Sequence, residues 1–288
     1  MTVVQRTLYC FGFGFSAARL AQRLMPAGWR VYGTVRSEGK AAALAALDVQ
    51  PVVFDGGDGQ AANALHAPPQ GSHWLISIPP DEWGCPAFRA AQHHSAMAST
   101  ITYLSTSGVY GDLAGGWAFE DSAINPGSAR AHARVQAEQQ WQSIRADVRI
   151  VRLPGIYGPG RSAFDRLRGG QAQRIVKPGQ VFSRVHVDDI ASGLAALLAH
   201  PTARGVFHLC DDEPAPPQDV IAHAARLLEL DPPPEVPFEA ASLSPMARSF
   251  FAECKRLSNA HTKAALHWSP RYPTYREGLE AILAEERG

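Results

Sequence analysis

Thr7-Leu-Tyr-Cys-Phe-Gly-Phe-Gly-Phe-Ser-Ala17 is the stretch that decides the fold. An apolar run over 7–11 breaks at Gly12 and Gly14 and passes into an alanine-rich helical pattern over 16–25. A strand that turns on two glycines into a helix is the opening unit of a parallel α/β sheet, and the spacing Gly12-x-Gly14-x-x-Ala17 gives each small residue a task. Gly12 permits the tight turn, Gly14 lets the backbone approach a pyrophosphate, and Ala17 lets the helix pack closely on the strand. The backbone N–H groups at Phe15 and Ser16, in the first helical turn, then face the anion. The pattern predicts a dinucleotide site; a plain glycine turn between strand and helix is the alternative.

Outward from this unit, short apolar runs alternate with helical patterns. Strands are expected at 30–35, 51–54, 73–78, 101–105, 149–153 and 206–209, and helices at 39–47, 86–97, 129–143 and 187–198. This alternation predicts an α/β fold, a doubly wound parallel sheet of the Rossmann kind with a smaller C-terminal substrate lobe. The dinucleotide-binding domain is expected over 1–153, with 185–210 returning to the sheet, and the substrate lobe over 154–184 and 211–288. The connection 111–128 is long for a structureless loop and reads as a rim of the active site.

Composition narrows the partners. The chain has 288 residues with 27 basic and 27 acidic side chains. A formal net charge of zero gives no reason to expect nucleic acid or a charged membrane surface as a partner. Cys10, Cys85, Cys210 and Cys254 show no Cys-x-x-Cys spacing and read as reduced thiols of a cytoplasmic protein. No apolar stretch is long enough to span a bilayer, and no metal site is expected.

The end of the second strand chooses between cofactors. An acidic residue there would bind the ribose 2′-hydroxyl of NAD, whereas a basic one accommodates the 2′-phosphate of NADP. Gly33-Thr-Val-Arg-Ser37 offers no acid before Glu38. Arg36, helped by Thr34 and Ser37, therefore points to NADP over NAD through charge-assisted hydrogen bonds. Asp55 and Asp58, past the third strand, are candidates for the adenine amino group, with simple turn formation as the alternative. Ile78-Pro79-Pro80 closes the fourth strand and is expected to pack along the cofactor.

The run Tyr103-Leu-Ser-Thr-Ser-Gly-Val-Tyr-Gly-Asp112 ends an apolar strand in three consecutive hydroxyl residues, at the sheet edge where ligands of such folds bind. Together with 12–17, Arg152-Leu-Pro-Gly-Ile-Tyr-Gly-Pro-Gly160, Val185-His-Val-Asp-Asp-Ile-Ala191 and the tail motifs at 255–259 and 272–278, it resembles the extended and atypical branches of the short-chain dehydrogenase/reductase superfamily, which includes nucleotide-sugar epimerases and dehydratases. The resemblance covers nearly the whole chain. It implies that Thr106 is the catalytic hydroxyl, with Ser107 beside it toward the substrate, and that Pro154 lies where the backbone approaches the nicotinamide.

It also implies a tyrosine base with a lysine four residues on. Counted back from Glu138, those positions hold Arg130 and Arg134. Arginine has no acceptor and stays charged, so it cannot act as a proton acceptor, although it can hold a carboxylate or phosphate. Arg130, Arg134 and Arg184 are accordingly substrate-contact candidates. Tyr110 and Tyr157 are candidates for the proton donor, with aromatic packing as their bland reading. His186 is expected to be structural, with Asp188 or Asp189 capping a helix that begins near Ile190.

The reading is an NADP-dependent oxidoreductase or epimerase/dehydratase-like enzyme acting on a small, sugar-derived or anionic substrate, as a monomer or homodimer. The alternative is an NADP(H)-binding sensor or regulatory protein without turnover.

Overall fold

The computed structural model describes residues 5–56 and 67–287. Asp58 lies outside them. In chain order the strands are β1 (Thr7–Phe11), β2 (Arg30–Val35), β3 (Gln50–Val53), β4 (His73–Ile76), β5 (Thr100–Thr106), β6 (Trp117–Ala118), β7 (Arg149–Leu153), β8 (Gly155–Tyr157), β9 (Arg174–Val176), β10 (Arg184–His186), β11 (Gly205–His208), β12 (Glu235–Pro237) and β13 (Arg256–Leu257). The helices are α1 (Phe15–Leu24), α2 (Glu38–Ala45), α3 (Pro86–Ala91), α4 (Ala129–Ile144), α5 (Ala163–Arg168), α6 (Val187–Ala199), α7 (Pro217–Leu227), α8 (Pro245–Phe250), α9 (Ala260–Leu266) and α10 (Tyr275–Arg287). No helix among the described residues is long and apolar enough to cross a membrane.

Two compact units emerge. The first comprises Met1–Val109, Pro126–Arg152 and Ala191–Phe207, and the second Tyr110–Asn125, Leu153–Ile190 and His208–Gly288.

The first unit is organised by a seven-stranded sheet in the order β11-β7-β5-β4-β1-β2-β3. Strand β1 pairs in parallel with β2 on one side and with β4 on the other, so the strand order reverses at β1. Such a switch point opens a crevice at the carboxyl ends of the strands. As a central strand, β1 is buried along its whole length. Tyr9 and Phe11, two apart and so on one face, join Trp74, Ile76, Ile101, Tyr103, Trp141 and Ile150 in one buried cluster. Its rings meet edge to face: Phe11 with Trp74 at 5.3 Å and Trp74 with Trp141 at 6.4 Å.

Arg149, 1% exposed, donates to the carbonyls of Leu197, His200, Pro201 and Ala203. It thus closes the carboxyl end of α6, where a cation also meets the negative end of the helix dipole.

The second unit holds short parallel strand pairs, β8 with β10, β9 with β12 and β6 with β13. Phe164, Ile221, Ala224, Tyr275, Leu279 and Ile282 from α5, α7 and α10 form a buried core.

Several sequence expectations shift in detail. The helix expected over 86–97 ends at Ala91 and continues as a 3-10 turn, Gln92–Met97, because Ala91 leaves the helical region with φ −124° and ψ −3°. The helix expected from about Ile190 begins at Val187, so neither Asp188 nor Asp189 caps it. His186 does that work instead, its Nδ1 accepting the Asp188 N–H at 3.2 Å. Asp189 reaches across to accept the backbone N–H groups of Arg271 at 2.6 Å and Tyr272 at 3.1 Å.

Candidate functional site

The glycine turn of the first unit is held in a shape that only glycine allows. Gly12 has a φ of 88°, and a Cβ on it would sit 2.9 Å from both the backbone nitrogen and Cγ1 of Ile78. Only glycine fits there. The buried Thr34 fixes the turn from β2, its hydroxyl accepting the Gly12 N–H at 2.6 Å and its carbonyl the Phe13 N–H at 3.0 Å. Ile78 in turn donates its N–H to Phe11 O at 3.0 Å, so the loop after β4 closes over the same turn.

Gly14 occupies the N-cap of α1 with open space where a Cβ would project, and no side chain caps the helix. The first-turn N–H groups of a helix have no intrahelical acceptor, and no acidic residue lies in this turn to offset the positive end of the dipole. Phe15 is half-buried and Ser16 buried in that turn. The donors present fit a pyrophosphate.

At the end of β2, Arg36 is exposed and has no hydrogen-bond or ion-pair partner among the described residues. Ser37, also exposed, is the N-cap of α2 without using its hydroxyl to cap it. Asp55 is exposed after β3, and after β4 Ile78 and Pro80 are half-buried and Pro79 is exposed.

The end of β5 is anchored by charge. Glu138 on α4 receives hydrogen bonds from Ser105 Oγ and, in fork fashion, from Arg152 Nε at 3.1 Å and Nη2 at 2.7 Å. All three residues are at most 5% exposed. This buried triad ties β5, α4 and β7 together immediately below Thr106. It was invisible as a site in the sequence, although Glu138 stands one and two helical turns beyond Arg134 and Arg130.

Thr106 is half-buried, and its Oγ1 accepts the Gly108 N–H at 3.2 Å, which leaves its own proton free to donate. Ser107 is half-buried beside it. Arg134 is held by the strand, its Nη1 donating to Leu104 O at 2.9 Å and to Tyr103 Oη at 3.2 Å. Arg130, one turn earlier, is exposed.

In the second unit, Tyr110 is fully enclosed and its Oη lies 2.6 Å from His208 Nε2. His208 Nδ1 lies 2.8 Å from Ser258 O. A carbonyl can only accept, so Nδ1 carries a proton, and in the neutral imidazole Nε2 accepts from the Tyr110 hydroxyl. Glu120 adds an acceptor for the backbone N–H of His208 at 3.3 Å and for the Thr262 hydroxyl at 3.2 Å.

Tyr157 has a buried hydroxyl without a hydrogen-bond partner among the described residues. Its phenol is pushed well above the ordinary range, first by burial and then by the neighbouring Asp211 and Asp189 charges. Arg184 donates to Phe182 O at 2.7 Å and to Ala215 O at 3.0 Å, and burial lowers its pKa. Pro154 is half-buried between β7 and β8.

Residues 87–210 match the model of the NAD dependent epimerase/dehydratase family. A 3-diazoavenalumate denitrifying reductase from Streptomyces sp is 33% identical over 172 residues, covering 54% of this chain and 54% of that protein. The chain thus spans about half the length of the curated relative it matches. A solved structure of a functionally unknown conserved protein from Silicibacter pomeroyi DSS is 44% identical, covers 99% of this chain and 100% of that one, and superposes with a TM-score of 0.88. The fold recurs in the human epimerase family protein SDR39U1, solved with NADPH, at 16% identity over 97% of this chain and 99% of that one, with a TM-score of 0.74. A seven-stranded sheet with its strand order reversing at a glycine turn, and the family match over 87–210, lead to one conclusion: the chain has a Rossmann-like fold whose residues 87–210 carry the NAD dependent epimerase/dehydratase family pattern.

Proposed function

We propose that this protein is an NADP-dependent oxidoreductase that reduces a small substrate bearing an anionic or sugar-derived group. The observation that carries the reading is the uncapped end of α1 at Gly14, together with the exposed Arg36 at the end of β2, which has no partner among the described residues. The backbone at Gly12, Gly14, Phe15 and Ser16 would hold the pyrophosphate, and Arg36 and Ser37 the 2′-phosphate, with Thr34 shaping the turn between them. Asp55 would meet the adenine, Ile78, Pro79 and Pro80 would line the dinucleotide, and Pro154 would approach the nicotinamide. In this reading 1–153 with 185–210 form the cofactor domain, and 154–184 with 211–288 the substrate lobe.

When bound, the cofactor supplies a hydride. Thr106 donates a hydrogen bond from its hydroxyl to the reacting atom of the substrate, the proton that completes the reduction comes from solvent water, Ser107 assists the orientation, and Arg130 holds the anionic group through charge-assisted hydrogen bonds. The reductive direction is supported by the name of the Streptomyces relative, a reductase.

Calorimetric titration with NADPH and NADH tests this directly. NADPH is expected to bind at least tenfold more tightly; equal or tighter NADH binding would remove the role given to Arg36.

A second reading, a cofactor-binding sensor without turnover, is favoured by one observation: the Tyr110 hydroxyl is engaged by His208, and Arg134 is bound to the Leu104 carbonyl. Single-turnover oxidation of NADPH by any carbonyl or diazo acceptor would reject it.

A further inference from the structure

We propose that Trp83, on the loop that follows β4, is a stacking platform for the adenine ring of the dinucleotide. The inference rests on the cofactor reading above and assigns it an aromatic contact that no motif marks.

The loop is rigid. Pro79 and Pro80 fix its entry through their rings. Asp81 and Gly84 exchange backbone hydrogen bonds at 2.9 and 3.2 Å. The Asp81 carboxylate accepts the Trp83 N–H at 2.9 Å and a two-pronged contact from Arg89 at 2.9 and 2.6 Å. From α4, the Gln140 side chain donates to Trp83 O at 3.1 Å and accepts the Cys85 N–H at 2.8 Å. Gly84, with a φ of 96°, has the Gln140 amide packed where a side chain would stand.

None of these contacts involves the indole, which remains 61% exposed. A large apolar side chain gains by burial, and a loop this firmly held could have turned it inward. The loop instead fixes the backbone and leaves the ring in solvent, as a platform for a planar partner requires.

Placement chooses the partner. At its start the loop touches the pyrophosphate turn, through Ile78 against Gly12. At its end Pro86 packs on Gly56, just beyond β3, within 3.3 Å of where a Gly56 Cβ would lie. The chain leaving β4 therefore runs toward β3, the side of the sheet that carries Arg36 and Asp55. That is the adenosine half of the crevice, and adenine is the planar group that falls there. Aromatic stacking on a base needs no hydrogen-bond pattern, which explains why no motif announces it.

The test uses 2′,5′-ADP, the adenosine half of NADP, and nicotinamide mononucleotide as the other half, titrated into wild type, Trp83→Phe and Trp83→Ala. Thermal melting confirms that each variant is folded. Trp83→Ala should weaken 2′,5′-ADP about tenfold, Trp83→Phe should stay within about threefold, and the mononucleotide should be unaffected. Unchanged 2′,5′-ADP affinity in Trp83→Ala, or loss of self-association in its place, overturns the proposal. Failure of the wild type to bind either dinucleotide overturns the cofactor reading itself, and so the two failures are distinct.

Discussion

In the NADP reading proposed above, cofactor choice turns on Arg36, an exposed cation at the end of β2 with no partner among the described residues. A charge-assisted hydrogen bond contributes about 1.5–3 kcal/mol, so Arg36→Ala should weaken NADPH by roughly ten- to a hundredfold while leaving NADH nearly unchanged. Parallel calorimetry on both cofactors reads this, and equal losses for both would deny Arg36 any selectivity. Thr106→Ala should separate chemistry from binding: kcat falls at least tenfold with NADPH affinity preserved, since the hydroxyl acts on the substrate and not on the dinucleotide. Unchanged turnover would end its role. At this scale the sequence reveals residue types but not their partners. Gly12, Gly14 and Arg36 were legible because backbone freedom and charge are properties of the residue itself. Tyr110 was not, because its engagement with His208 joins positions 98 apart in the chain. Arg134 likewise shows its hold on the Leu104 carbonyl only once α4 lies beside β5.

Among the elements, α4 and α10 make the sharpest predictions. The Glu138 carboxylate on α4 is the common acceptor for Arg152 and Ser105, all of them buried. Removing one partner of a buried ion pair leaves the other uncompensated, so Glu138→Ala should cost about 3–5 kcal/mol of stability. Urea unfolding measures it, and a loss below about 1 kcal/mol would show the triad to be solvated. Gly278, inside α10, poses opposing effects. Alanine there gains about 1 kcal/mol of helix propensity, but its Cβ would fall 2.0 Å from the Tyr157 hydroxyl oxygen. That ring also packs at 5.2 Å against His186 and has little room to withdraw. Overpacking typically costs about 1–3 kcal/mol, so Gly278→Ala should be net destabilising, and a raised melting temperature would contradict the packing argument. The strands and helices of the sheet were legible from sequence because each carries its own apolar run; β1, β2 and β7 fall where the pattern puts them. The three-residue strands β8, β9, β10 and β12 were not. Such segments become strands only through partners distant in the chain, Arg174 pairing with Glu235 for example, and no local periodicity marks them.

For the molecule as a whole, the even balance of 27 basic and 27 acidic side chains directs attention to acids hidden from solvent. Asp211 is 2% exposed, neither of its carboxylate oxygens has a hydrogen-bond partner among the described residues, and burial raises its pKa well above the usual carboxylate range. Asp189 is 1% exposed, and burial pushes it up to about 6 against the downward pull of the Arg271 and Tyr272 amides. Both therefore bind protons more tightly in the folded chain than in the unfolded one. For Asp189, the stability tied to this difference is fully present below the unfolded value of 3.8 and is lost as pH rises to the folded value of about 6. A shift of this size corresponds to something on the order of 3 kcal/mol, lost between about pH 4 and pH 6. Asp211 has the same sign, and its loss begins in the same region and extends to higher pH because its folded pKa lies well above the ordinary value. Partly exposed carboxylates such as Asp81, held low by Arg89, work in the opposite sense, adding stability above their unfolded pKa that is lost as pH falls through the folded one. Solvent screens that contribution, so it is the smaller. Urea unfolding from pH 4 to 8 should therefore show the wild type losing stability as pH rises through 4 to 6. Asp211→Asn, which keeps the shape and cannot ionise, should flatten the part of that slope that continues above pH 6. A wild type whose stability instead climbs across this range would mean that the two buried acids are ionised in the fold and held by contacts stronger than the desolvation they suffer.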